Sequence, residues 1–298
     1  MLHRHPLIQI TIAVASLASI GIFIHKSDIE PIATGFYRCL FSLPLLYISN
    51  KLIAQPLIKP PLTISSRKLT LLTLIGGIGL GMDMCVWNLS FNYTTMAESN
   101  LIVNLTPLLL LPVTIFYFKE KVSPLVIVPF IVAITGLYVL VFGATASHEV
   151  HITGDIMAFI AAIFYALFVV VTKIAADNGA DMGKYILQVS AYCAILLLGG
   201  GIIAGEHWLP HSLWGWIDLL LLAFISQIFG QLFLAQAMKR VPLQISSVFL
   251  LLQPIFAASY GFIFFNEKLS IKQIGGAIAV LIAVYLFKRI EQLGKQTN

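Results

Sequence analysis

The chain has 298 residues, 59% of them hydrophobic and 10% charged, with a formal net charge of +5. Soluble domains carry about a quarter charged residues, so this composition excludes an ordinary soluble globular domain. The basic residues sit in short segments between apolar blocks, with no Lys/Arg-rich run interleaved with aromatics, which argues against a nucleic-acid partner.

Apolar blocks fall at 7–24, 32–53, 69–91, 98–118, 122–142, 154–173, 185–204, 215–237, 243–265 and 271–288. Each is near the ~20 residues a helix needs to cross a bilayer. The sequence therefore predicts an all-α membrane protein of ten transmembrane helices. The first block follows a basic start, as a secretory signal does, but its apolar run reaches Ile24 and is longer than a signal core. We take it as the first span. The longest connection, Asn50 to Lys68, holds Pro56, Pro60 and Pro61 and reads as a loop. Fourteen Lys and Arg fall in loops on one side and three on the other. The positive-inside rule then puts both termini in the cytoplasm.

The stretch from Ala97 to Lys121 has a counterpart from Gln244 to Lys268. Pro107 matches Pro254, Glu120 matches Glu267 and Lys121 matches Lys268, every pair 147 residues apart. Between Leu105–Val141 and Leu252–Lys288, nine of 37 positions are identical at that offset, Ser123/Ser270 and Tyr138/Tyr285 among them. Five spans per half is odd, so the halves, 1–147 and 148–298, enter the membrane from opposite sides. Such inverted repeats recur in secondary transporters, with the substrate site between halves near the midplane.

Polar groups inside spans are costly and usually face the bundle interior, which makes them site candidates. Arg38 lies in the second span and Asp83 in the third, at similar depth. Trp87 shares a helix face with Asp83, four residues on. Arg38 suits a carboxylate; Asp83 suits an ammonium group or a proton that couples transport. The competing reading is that the two only neutralise each other. Asn100 and Asn104 share a face of the fourth span, Gln227 and Gln231 of the eighth, Ser246 and Gln253 of the ninth. Amides either meet a substrate or glue helices; three such pairs in different helices favour a polar cavity. Pro107 and Pro254 each remove a helix hydrogen bond and free the carbonyl four residues back, Val103 and Leu250, as a hinge or gate. Glu98 reads as an interfacial residue, pointing away from Asn100.

Other features carry packing rather than chemistry. Gly77 and Gly81 fit a small-xxx-small contact between helices. Cys39, Cys85 and Cys193 give no disulfide framework and no metal spacing, and read as small core residues. His148, Glu149, His151, His207 and His211 read as loop residues at a membrane interface. Glu120-Lys121 and Glu267-Lys268 read as turn ion pairs. No metal and no cofactor is expected.

The stretch Asp83 to Pro107, DMCVWNLSFNYTTMAESNLIVNLTP, and Gly35 to Tyr47, GFYRCLFSLPLLY, resemble the EamA-type transporters of the drug/metabolite transporter superfamily. The resemblance covers essentially the whole chain. It departs at Asn88, where the similar subgroup has His, and at Glu98, where a small or amide residue is usual. It implies a bundle of spans one to four and six to nine around a cavity, with the fifth and tenth peripheral. It also implies export of amino acids, metabolites or drugs by alternating access.

The expectation is a bacterial inner-membrane secondary transporter, not an enzyme, that moves small polar or zwitterionic metabolites outward as a monomer or homodimer. Its partners are a small-molecule substrate, the lipid bilayer and, in one reading, a proton. The alternatives are a nucleotide-linked substrate exchanger of the same fold and, more remotely, an intramembrane enzyme or receptor. The second has no H-E-x-x-H pair, Walker A loop or paired intramembrane aspartates to support it.

Overall fold

The structure, a computed structural model, describes residues 5–52, 61–94, 96–120, 124–142, 152–265 and 270–296. Regular structure among them is helical throughout. In chain order the apolar helices are α1 (Pro6–Ile24), α2 (Pro31–Lys51), α3 (Ser66–Ser90), α4 (Ser99–Phe116), α5 (Ile127–Phe142), α6 (Ile152–Asp177), α7 (Met182–Ala204), α8 (Leu213–Met238), α9 (Leu243–Phe265) and α10 (Ile271–Phe287). Eight of them are long and apolar enough to cross a membrane, and α5 and α10 are shorter. Only a helix or a closed barrel can bring backbone amides through hydrocarbon without orphaning them.

Local signals set the ends. Ser65 Oγ accepts from Lys68 N, Asp181 Oδ1 from Gly183 N and Ser212 Oγ from Gly215 N, which caps α3, α7 and α8. Ser270 and Gln273 exchange backbone and side-chain bonds at the start of α10, a reciprocal capping box. Gly205 ends α7 at φ +71, a left-handed turn that costs glycine nothing. Lys173 lies inside α6 and is 6% exposed; its ammonium donates to Asp177 Oδ1, to the carbonyl of Met238 at the end of α8 and to that of Val241 just beyond it. A cation there meets the negative end of the helix dipole.

Packing pairs the two halves. α3 lies along α6 and α7, α2 along α7 and α8, α1 along α8 and α9, and α4 against α6 and α9, while α5 packs on α10. Exchange of the first five helices with the last five maps this pattern onto itself: α3–α6 becomes α8–α1, and α4–α6 becomes α9–α1. α1 is part of the bundle, with Ile10, Ala13, Val14 and Leu17 buried. The α3 glycines let backbones approach closely. A Cβ on Gly77 would strike the Tyr192 Cβ of α7, and one on Gly79 would stand 3.1 Å from the Phe164 carbonyl of α6.

Two helices are interrupted at matched places. The helical winding of α4 stops after Val103 and restarts at Thr106; that of α9 stops after Leu250 and restarts at Gln253. Pro107 and Pro254 each stand second in the restarted segment, where a missing N–H is harmless. One expectation is corrected here. The Val103 carbonyl is not freed, because the Thr106 hydroxyl donates to it at 2.6 Å. In α8, residues Phe224–Leu232 are wound as a π-helix.

Candidate functional site

The interruptions open onto a cavity of about 460 Å³. Its wall takes α1 from Leu17 to Ile24, α3 from Leu80 to Trp87, α4 from Asn100 to Pro107 and α9 from Leu250 to Phe265, with Arg38 from α2 and Gln231 from α8. Apart from Gln231, which lies deeper, these residues lie mostly toward the α7–α8 connection. The opposite halves, toward the α8–α9 connection, pack against one another.

Of the residues singled out from sequence, Arg38, Asp83, Trp87, Asn100, Asn104, Gln231, Gln253, Pro107 and Pro254 all line this cavity. Gln227 does not. It is fully buried, and its Nε2 donates at 3.5 Å to Cys39 Sγ of α2 and Ser190 Oγ of α7. Both amides lie in the π-wound stretch of α8, but only Gln231 reaches the cavity, while Gln227 is taken up by α2 and α7. Asn104 Nδ2 folds back on the Asn100 carbonyl at 2.7 Å, so its donor stabilises the break in α4. The side chain of Glu98 and residues Lys121, Ser123, His148, Glu149, His151, Glu267 and Lys268 lie outside the described residues.

Arg38 and Asp83 are 5% and 8% exposed. No ion pair within 4.0 Å joins them among the described residues. Arg38 Nε, Asp83 Oδ1, Trp87 Nε1 and Gln231 Oε1 are all buried without a protein hydrogen-bond partner. An unsatisfied buried polar atom costs about 1–3 kcal/mol, more when charged. Two donors and two acceptors so placed, around one cavity, suit a ligand that carries both kinds of group. The remaining lining is largely apolar, from Leu17, Ile20, Ile24, Leu80, Met84, Leu250 and Phe265.

Some lining residues were not legible in the sequence. Tyr165 of α6 and Tyr260 of α9 reach the cavity, the latter with its hydroxyl donating to the Ala15 carbonyl of α1 at 3.1 Å. Both lie in largely apolar runs, where a tyrosine carries no signal of its own. Leu140 and Val141 of α5 and Gln273 of α10 also line it. The two short helices, expected to be peripheral, pack chiefly on each other and reach the cavity only through these residues. The His207 and His211 rings stack outside the bundle, centroids 5.1 Å apart. No cluster of three or more His, Cys, Asp or Glu placed to hold a metal ion occurs among the described residues.

Relatives place this geometry. The chain is 24% identical over 226 residues to an uncharacterized transporter of Archaeoglobus fulgidus, covering 72% of this chain and 76% of that protein. It is 26% identical over 286 residues to solute carrier family 35 member G1 of Homo sapiens, covering 91% and 75%. A solved crystal structure superposes with a TM-score of 0.78 at 13% identity, over 96% of this chain and 98% of its own, and so shares the fold. The EamA-like transporter family matches twice, over residues 6–142 and 152–289. With two matches that together span nearly the whole chain, the protein belongs to the EamA-like transporter family and is a multi-pass membrane transporter.

Proposed function

We propose that the protein is a secondary transporter that exports small zwitterionic metabolites, amino acids or related compounds, across a bacterial inner membrane by alternating access. In this reading the halves 1–147 and 148–298 are inverted repeats and both termini are cytoplasmic, so the cavity occupies the outer half of the bundle. One observation carries the substrate class: Arg38 and Asp83, a guanidinium and a carboxyl group, share the cavity, each with an unpartnered buried polar atom and no ion pair between them. Arg38 would take a carboxylate and Asp83 an ammonium group or a coupling proton. Trp87 would supply an N–H donor and an aromatic wall. Asn100, Asn104, Gln231 and Gln253 line the same space, and Pro107 and Pro254 sit at the breaks about which α4 and α9 would bend. Gln227 would act as packing. Arg38 is the sole Lys or Arg on the described lining, which leaves a nucleotide-linked substrate with little to hold its phosphates.

The test has two stages. Overexpression in cells challenged with toxic amino acids and analogues identifies what the protein removes. Purified protein in liposomes then moves that compound under a pH gradient, and Asp83→Asn abolishes the movement or its pH dependence. Unchanged transport with an unchanged pH response in Asp83→Asn removes Asp83 from the site.

A further inference from the structure

The closed half of the bundle holds polar groups that the cavity does not use. Toward the α8–α9 connection, Gln9 of α1 is 2% exposed and donates through Nε2 to Gln236 Oε1 of α8 at 3.0 Å. Gln244 and Ser247, in the first segment of α9, are 4% and 2% exposed. Leucine or alanine would pack such a seam without the cost of burying amides. Polar side chains are the natural lining of a path that water enters in another conformation.

One acidic residue spans the seam. Glu120, just past the end of α4, sends its carboxylate across to the start of α9, where Oε1 accepts from Leu243 N at 2.8 Å and Oε2 from Gln244 N at 3.2 Å. These amides belong to the first turn, which has no intrahelical acceptor, and the positive end of the helix dipole adds to the attraction. The chain is bent to make this contact. Beyond α4 the backbone closes wide turns, Phe118 N to Val113 O and Glu120 N to Thr114 O, both at 3.1 Å. Lys119 then sits at φ +53, the left-handed region that a non-glycine residue enters only under constraint. Glu120 thus ties together the two interrupted helices, at the end of the bundle opposite the cavity.

We infer that Glu120 is the latch that holds this end shut, and that Gln9, Gln236, Gln244 and Ser247 line the path it closes. Release of the carboxylate from Leu243 and Gln244 frees the start of α9 to swing about its break at Leu251–Leu252, and the seam opens. Glu120 was expected in a turn ion pair with Lys121, which lies outside the described residues; the contact the structure gives it is this helix cap. The inference rests on the alternating-access reading above.

The experiment needs no substrate. In full-length protein with Cys39, Cys85 and Cys193 replaced by alanine, Ser247→Cys supplies one thiol on the closed path. A membrane-impermeant maleimide is applied to each side of oriented proteoliposomes. In the parent this thiol labels slowly. Glu120→Ala raises its rate from the α8–α9 side roughly tenfold, as a decade's shift in the open population requires. It also slows the labelling of a cysteine placed at Gln253 from the opposite side. Lys119→Gly, which relieves the left-handed residue and keeps the carboxylate, labels at the parent rate. Equal labelling in parent and folded Glu120→Ala overturns the latch, as does faster labelling at both positions, which means general loosening. Should Glu120→Ala fail to fold, Glu120→Gln carries the same test with the same two outcomes. Failure of liposome transport alongside the expected labelling removes the transport reading and leaves the latch.

Discussion

Cys39 and Cys193 touch: their Sγ atoms lie 3.4 Å apart, both side chains fully buried, one in α2 and one in α7. α2 and α7 hold the same place in the two halves, so this contact marks the seam where the halves meet. Loss of two thiol protons and two electrons to an added oxidant such as iodine would close a bond of about 2.05 Å with a small shift of either helix. Peptide mass spectrometry of oxidised full-length protein should find Cys39 linked to Cys193 and Cys85 still free to alkylate. A Cys85 linkage instead would place α3 differently from the arrangement described.

The unpartnered indole N–H is testable by a change that keeps the ring. Trp87 stacks edge-on against Phe91 with centroids 4.9 Å apart, and phenylalanine preserves that contact. Trp87→Phe should leave folding intact and raise the half-saturation concentration for the transported compound about tenfold, the worth of one lost hydrogen bond to a bound ligand. Unchanged affinity would mean that the N–H faces solvent and not substrate.

Glycines of one type separate by position on the α5–α10 pair. A Cβ on Gly136 would stand 2.8 Å from the Gly276 carbonyl, and one on Gly276 would stand 2.5 Å from the Gly136 carbonyl. Neither backbone can yield without parting the helices. Gly136→Ala and Gly276→Ala should each cost about 1–3 kcal/mol, seen as a lower Tm in detergent. Gly275 has nothing within 4 Å of its notional Cβ. Gly275→Ala should be neutral or stabilise by up to ~1 kcal/mol through helix propensity.

Outside the spans, Glu206 sets a pH dependence of stability. Its carboxylate accepts from Ile32 N at 3.2 Å and Ala33 N at 2.7 Å, in the first turn of α2. Burial raises its pKa above the ordinary 4.5, the two amide bonds pull it down, nearby Glu30 pushes it up, and the net shift is upward. A raised carboxylate favours the protonated form in the folded state. Its contribution is therefore full below the unfolded pKa and is lost as pH rises through the folded one. Glu206→Gln is neutral throughout. The Tm difference between variant and parent should move in the variant's favour as pH rises above 4.5, and a constant difference would contradict the shift.

Much of the architecture was legible because a bilayer imposes simple rules. Apolar runs near twenty residues, read in order, predict the helices to within a few residues at most ends. The 147-residue offset predicts that α4 and α9 break alike, and they do, at Asn104–Leu105 and Leu251–Leu252. Proline signals this locally, since it removes a backbone donor wherever it stands. Most of the cavity's polar wall was legible for a related reason: charge and amide groups within spans are too costly to be scattered, so Arg38, Asp83 and Gln231 converge.

What escaped the sequence depends on winding and on contacts between distant segments. The π turn in α8 gives no local sign, and nothing in the spacing of Gln227 and Gln231 shows that the first is taken up by contacts to α2 and α7. Tyr165, Tyr260 and Gln273 join the cavity only because α6, α9 and α10 pack where they do. Nothing in Glu120 itself reveals that its partner is the start of α9, more than a hundred residues away. By itself the sequence determined which segments are helical, where they break and which polar groups must face inward, since hydrocarbon penalises every alternative. Only the tertiary structure decided which of those groups share a cavity, which pair elsewhere and which end of the bundle is closed, because those outcomes follow from helix rotation and cross-bundle contact.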